Sequence, residues 1–224
     1  MPMIKLTASD SHSFNAYRAS PEGKPRGGVV VIQEVWGVNR WVRSVADRYA
    51  KHGFVAVAPA MFDRLAPGFE SEDYAAGSAY ATMADKMKGF DIKTALLDVA
   101  AAVKQASAGG KVGITGYCFG GMITWRSANA GLGLSAGSGY YGGGIPNYLE
   151  LAPKMPLEMH YGDKDTGIPV DQVEMLCKRY PDLGIFLYPA DHGFCTAARP
   201  DKYDAASAKK ANARTLEFFA KHLA

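Results

Sequence analysis

Residues 28–33 read Gly-Val-Val-Val-Ile-Gln, and residues 54–58 read Phe-Val-Ala-Val-Ala. Neither run alternates apolar with polar side chains, so neither suits a sheet with one wet face. Short unbroken apolar runs of this kind need cover on both sides, as strands have in a parallel sheet lined by helices. Between them lies Arg40–His52. Its apolar or small residues Trp41, Val42, Val45, Ala46 and Tyr49 recur at helical spacing, and Gly53 supplies a C-terminal stop. Strand, helix, strand is therefore the unit from which this chain is built.

The same alternation runs on to the end. Ile4–Ala8 and Phe14–Arg18 read as a weak antiparallel edge, followed by the turn-rich connector at residues 21–28. Helical patterns occupy Glu72–Asp85 and Asp91–Gln105. Lys111–Thr115 is a strand, and a helix follows it to about Asn129. Leu132–Ser138, Pro156–Tyr161 and Gly184–Tyr188 read as three more strands, with helices at Val170–Tyr180 and Lys202–His222. The pattern predicts an α/β protein with a mostly parallel central sheet flanked by helices on both faces. No internal repeat or low-complexity linker interrupts it, so residues 1–224 are expected to form a single domain.

Composition removes several function classes. With 48% hydrophobic residues the chain can bury a real core. The formal charge of +3 is scattered, without a Lys/Arg run, so no nucleic-acid partner is expected. The three cysteines, Cys118, Cys177 and Cys195, are odd in number and lack a Cys-x-x-Cys spacing, which argues against a disulfide framework, a zinc site and a dithiol redox motif. The opening residues show no charged-then-apolar leader, and no apolar run reaches the ~18 residues of a membrane span. A cytoplasmic protein with no membrane association is the expectation.

The most informative stretch is Gly116-Tyr117-Cys118-Phe119-Gly120-Gly121. It stands between an apolar strand and a helical pattern, the context that a Gly-x-nucleophile-x-Gly elbow requires. A nucleophile on so sharp a turn sits in a strained conformation, and its neighbours approach closely enough that a Cβ would clash. The turn places the thiol at a helix N-terminus, where the dipole favours thiolate. The amide of Phe119 would point at a developing oxyanion. The plainer reading is a buried, inert cysteine in a glycine-rich turn.

A nucleophilic thiol needs a base and a group to orient that base. Of the five histidines, His12 lies in the N-terminal edge, His52 ends a helix, His222 is near the C-terminus and His160 falls within a strand as a core or packing residue. His192 lies in a loop directly after the last strand, and active-site residues gather at the carboxyl ends of parallel strands. The loop after strand Pro156–Tyr161 offers two acids, Asp163 and Asp165. Nucleophile, acid, histidine is the chain order of the α/β-hydrolase arrangement.

These motifs resemble the dienelactone hydrolase (carboxymethylenebutenolidase-like) family of α/β-hydrolases, and the likeness covers nearly the whole chain. It is carried by residues 33–39 (QEVWGVN), Ala58-Pro59, Gly113-x-x-Gly116-Tyr117-Cys118-Phe119-Gly120-Gly121, Tyr140-Tyr141-Gly142, Gly162-x-x-Asp165-x-x-Ile168-Pro169, His192-Gly193-Phe194 and residues 213–218. The resemblance implies a triad of Cys118, Asp165 and His192, and selects Asp165 over Asp163. It implies that Glu34 assists substrate-triggered thiolate formation, and that the amides of Val35 and Phe119 form the oxyanion hole. The plainer reading of Glu34 is a carboxylate at the start of a helix.

The pattern also breaks. Members that cleave dienelactone hold the substrate carboxylate with two arginines. One position is Thr196 here, and the other falls near Ala76, with no Lys or Arg between Arg64 and Lys86. Losing a charge-assisted clamp should weaken binding of anionic lactones. Trp36, Tyr80, Met83, Phe119, Tyr140 and Phe194 are candidate apolar walls, with Thr196 beside them. The expectation is a monomeric esterase or lactonase that needs neither metal nor cofactor and takes a small-molecule ester or lactone. The rival enzyme reading is a general carboxylesterase or thioesterase acting on neutral substrates. The rivals of other kinds are a thiol sensor, which would need Cys118 alone, and a scaffolding homologue.

Overall fold

The structure, a computed structural model, describes residues 2–74, 83 and 85–223. They fall into two compact units, Met1–Val112 and Gly113–Ala224. The helix expected over Glu72–Asp85 lies largely outside the described residues.

In the first unit, β1 (Met3–Thr7) and β2 (Ser13–Ala19) form the expected antiparallel edge, paired from Met3–Tyr17 to Thr7–Ser13. β3 (Gly28–Ile32) and β4 (Val55–Pro59) are parallel, and β2 runs antiparallel to β4, giving the order β1-β2-β4-β3. Every residue of β3 and β4 is buried, as their unbroken apolar runs demand. A fully buried Val contributes about 1.5–3 kcal/mol relative to an exposed one.

Helix α1 (Arg40–Lys51) starts where Asn39 caps it, its side chain accepting from the Val42 amide at 3.2 Å. Its buried face is Trp41, Val42, Val45, Ala46, Tyr49 and Ala50. Helix α2 (Ile92–Ala106) is capped by Asp91, which accepts from the Lys93 amide at 2.9 Å. The buried carboxylate of Asp98 on α2 is held by two hydrogen bonds from Arg64, each 2.8 Å.

The second unit opens with the rest of β5 (Val112–Tyr117), then α3 (Phe119–Ala130), β6 (Leu134–Tyr140), β7 (Leu157–Gly162), α4 (Val170–Arg179), β8 (Gly184–Tyr188) and α5 (Ala205–Leu223). Strands follow the order β5-β6-β7-β8, with β6, β7 and β8 parallel. Most boundaries differ from the sequence expectation by a residue or two, and two of the differences have clear local reasons. β6 starts at Leu134 because Gly131 and Gly133 both take left-handed φ values, 71° and 75°. α5 starts at Ala205 because the Asp204 carboxylate accepts from the Ser207 amide at 2.7 Å, a capping contact. The strands are mostly parallel and alternate with helices, the α/β class that the sequence predicts.

Behind β6 and β7 lies a buried polar cluster. The Thr215 hydroxyl on α5 donates to Glu158 at 2.9 Å and meets Ser138, Tyr140 and His160. His160 is fully buried, a packing histidine as expected, with Nε2 3.1 Å from Glu158 and Nδ1 2.8 Å from the Tyr188 hydroxyl. Burial pushes its pKa below 6.5, and the Glu158 carboxylate offsets this only in part. The folded protein therefore holds His160 neutral, while the unfolded chain protonates near 6.5. His160 thus makes stability fall as pH drops below about 6.5.

Replacing Thr215 with Val keeps the shape and strips four buried partners of one hydroxyl. Thr215→Val is expected to lower the unfolding free energy by about 2 kcal/mol in urea titrations. An unchanged midpoint would show that the cluster adds nothing to stability.

Candidate active site

The elbow forms as the sequence requires. β5 ends at Tyr117, and Cys118 turns the chain with φ 55° and ψ −113° before α3 begins at Phe119. This is a left-handed φ that non-glycine residues rarely adopt. The Cys118 amide donates to the Tyr140 carbonyl at 3.0 Å, and its own carbonyl accepts from the amides of Gly121 (2.9 Å) and Met122 (3.3 Å). A Cβ on Gly116 would stand 2.1 Å from the Gly120 carbonyl oxygen, so only glycine allows strand and helix to meet this closely. Phe119 is the first residue of α3, so its amide lies in the positive turn of the helix.

The candidate acid and base lie in loops after β7 and β8, and the backbone draws these loops together. The amides of Asp163 and Lys164 donate to the carbonyls of Tyr188 (2.9 Å) and Ala190 (3.0 Å). A Cβ on Gly162 would lie 2.2 Å from the Ala190 carbonyl oxygen, so that approach also depends on glycine. Asp163 is exposed and Asp165 is buried. One Asp165 oxygen accepts from the amides of Gly167 (2.9 Å) and Ile168 (3.1 Å), and the other accepts from His192 Nδ1 at 2.6 Å. The His192 amide donates to Asp191 at 2.6 Å, and Lys202 hydrogen-bonds the second oxygen of Asp191.

His192 also hydrogen-bonds the Cys118 side chain. Burial works against a charged ring here, but the hydrogen bond to Asp165, then the hydrogen bond and negative charge of Cys118, outweigh it. The His192 pKa is pushed up from 6.5 to about 10. Tyr141 packs its ring against the imidazole at 5.0 Å and is itself held by the His160 carbonyl, which accepts from its amide at 2.7 Å. A base oriented by a carboxylate and touching a thiol is equipped for proton transfer to and from sulfur.

Cys118 and His192 open into a cavity of about 440 Å³. Besides Phe119, its wall includes Met122, Arg126, Asn147, Tyr148 and Ile168. The sequence reading singled out none of these five as wall residues. Met122 and Arg126 were discoverable, because they stand four and eight residues after Cys118 and so share its face of α3.

Of the other expected wall residues, Tyr140, Phe194 and Thr196 pack into the interior of the same unit. Tyr140 stacks between Tyr117 (4.6 Å) and His160 (4.5 Å), with its hydroxyl on Thr215 at 2.6 Å. Phe194 is buried against Tyr141 and Tyr188. Thr196 is buried, with its hydroxyl 3.3 Å from that of Tyr141. Glu34, Val35 and Trp36 follow β3 in the first unit, where Glu34 and Trp36 are buried and Trp36 packs on Tyr74 at 4.9 Å. Met83 is buried, and Tyr80 lies outside the described residues.

An elbow cysteine at the end of a strand, with a carboxylate and a histidine on the loops after later strands, is the arrangement of an α/β-hydrolase. The dienelactone hydrolase family model matches residues 14–223. The chain belongs to the dienelactone hydrolase family, and it is a hydrolase of ester or lactone bonds. It is 30% identical over 230 residues to a carboxymethylenebutenolidase of Pseudomonas putida, covering 97% of this chain and 95% of that one. It is 28% identical over 226 residues to carboxymethylenebutenolidase 1 of Cupriavidus pinatubonensis, covering 97% and 95%. An inferred dienelactone hydrolase of Klebsiella pneumoniae, solved by crystallography, matches with a TM-score of 0.84 at 28% identity, covering 99% of this chain and all of that one. Among the described residues, no helix is long and apolar enough to cross a membrane.

Because the folded pKa of His192 lies above 6.5, its charge stabilises the fold fully below about 6.5, and that contribution is lost as pH rises through about 10. An NMR titration of the imidazole is expected to show a midpoint near 10 that moves down in Asp165→Asn. The same variant should flatten the loss of stability toward alkaline pH. A wild-type midpoint near 6.5 would contradict the pairing.

Proposed function

We propose that the chain hydrolyses esters or lactones through a Cys118–His192–Asp165 triad and a thioester acyl-enzyme. One observation carries this reading: His192 bonds Asp165 at 2.6 Å on one side and the thiol of an elbow cysteine on the other. The imidazolium of His192 carries the proton that the Cys118 thiol gives up, and Glu34 is the alternative acceptor once substrate binds. The thiolate attacks the carbonyl carbon, a C–S bond forms, and the carbonyl electrons move onto oxygen. The amides of Val35 and Phe119 receive that oxyanion. As the tetrahedral species collapses, His192 passes a proton to the departing alkoxide or enolate. Neutral His192 then draws a proton from water, the hydroxide attacks the thioester, and the thiolate leaves. Asp165 holds the imidazole ring throughout.

None of these steps calls for a metal or cofactor. A thiolate is itself a good leaving group, so attack on ordinary esters tends to revert, and enol lactones or aryl esters are favoured. The second reading, a carboxylesterase acting on neutral substrates, is supported by Thr196. It stands where the family has a carboxylate-binding arginine, and its hydroxyl meets Tyr141. Residues 1–224 are taken to act as one hydrolase domain, a reading supported by a family match that spans both units. A cytoplasmic setting agrees with three free cysteines.

Cys118→Ala is expected to lower turnover of a p-nitrophenyl ester by at least about a thousandfold. A slowly deacylated ester should add its acyl mass to the Cys118 peptide of the wild type. Full turnover by Cys118→Ala would overturn the assignment. A panel of p-nitrophenyl esters against carboxylated enol lactones separates the lactonase reading from the neutral-esterase reading.

A further inference from the structure

Among the described residues, Arg126 is the one cation lining the cavity over Cys118 besides the His192 imidazolium. It is half-buried, and among the described residues it has no ion pair or hydrogen-bonding partner. A guanidinium partly withdrawn from water and left without an anion has a strong drive to find one. Its placement is no accident of a surface loop. It lies eight residues after Cys118, on the same face of α3, with Met122 between them. Eight residues of helix rise about 12 Å, and a helical side chain leans toward the N-terminus. A side chain of this length on this face can reach back toward the thiol along the cavity wall that Arg126 lines.

We propose that Arg126 forms an anion subsite, and that the enzyme prefers esters carrying a carboxylate a few bonds from the scissile carbonyl. This deepens the hydrolase reading and rests on it. It also changes the expectation for charged substrates. Thr196, where the family has an arginine, is buried and offers no cation, whereas a carboxylate laid along α3 meets a guanidinium. Arg126 is thus a specificity-determining residue that acts on binding, and it takes no part in the proton transfers.

The test compares esters of matched shape and different charge in the wild type, Arg126→Gln and Arg126→Lys. On the acyl side the pair is 4-nitrophenyl hydrogen glutarate and 4-nitrophenyl pentanoate. On the leaving-group side it is 4-acetoxybenzoate and 4-acetoxybenzamide. In at least one pair the wild type should favour the anion. Arg126→Gln should cut the anionic-to-neutral ratio of kcat/KM roughly tenfold, through KM, as expected for loss of a partly solvated charge-assisted hydrogen bond. Arg126→Lys should restore part of the ratio, and added salt should erode the wild-type preference. A ratio that Arg126→Gln leaves unchanged in both pairs, or an equal loss on both members, would assign Arg126 a structural role and overturn the proposal.

If no ester is turned over, the hydrolytic reading itself fails, and alkylation of Cys118 decides the subsite. Iodoacetate should react faster relative to iodoacetamide in the wild type than in Arg126→Gln, measured on the Cys118 peptide. Equal ratios would overturn the subsite as well.

Discussion

The backbone bend at Cys118 is the constraint on which the site depends. A non-glycine residue held at φ 55° costs on the order of 1–3 kcal/mol and persists only where its surroundings leave no alternative. Here the surroundings do so from both directions. The Tyr140 carbonyl holds the Cys118 amide, the first turn of α3 holds its carbonyl, and Gly116 lets the helix press against the strand. The bend turns the thiol out of the sheet at the start of a helix, so the sulfur faces the loops after β7 and β8. Without it Cys118 would be one more buried residue of a parallel strand, and His192 would have no thiol to bond.

Much of this was legible in the sequence, for physical reasons that differ from element to element. β3 and β4 could be read because β-branched residues without polar alternation fit only a doubly covered strand. Helix α1 could be read to within a residue because Asn39, a helical apolar stripe and Gly53 mark start, face and stop. The elbow could be read because strained turns have few sequence solutions. His192 could be read because it alone of the five histidines lies in the loop directly after the last strand. Between Asp163 and Asp165 the residues alone left a choice, since both are turn carboxylates. The structure separates them by burial and by the bond to His192.

The cavity wall was not legible in the same way. Tyr140 and Phe194 flank catalytic motifs in the chain, yet the ring of Tyr140 stacks between other rings and that of Phe194 packs on Tyr141 and Tyr188. Sequence proximity to a motif says nothing about the side of the backbone on which a ring falls. Met122 and Arg126 lie inside a helix that reads as ordinary packing, and only the direction of Cys118 reveals that their face is the open one. An arginine search guided by family positions looks at Thr196 and near Ala76 and misses a cation placed on a different element.

Two histidines of the second unit show how surroundings alone divide similar side chains between structure and chemistry. His160 is enclosed by hydroxyls, stacked rings and one carboxylate shared with Ser138 and Thr215, so burial wins and the ring stays neutral. His192 opens on a cavity and bonds both the Asp165 carboxylate and the Cys118 side chain, so attraction wins and the ring holds its proton. Such divergence of pKa values lets the same type of side chain serve as rigid frame in one place and stay charged in another. The two are joined through Tyr141, whose amide hangs from the His160 carbonyl and whose ring flanks His192. The neutral cluster fixes the wall against which the charged histidine stands. It does so without competing for the proton, because its own histidine gives up a proton far more readily than His192.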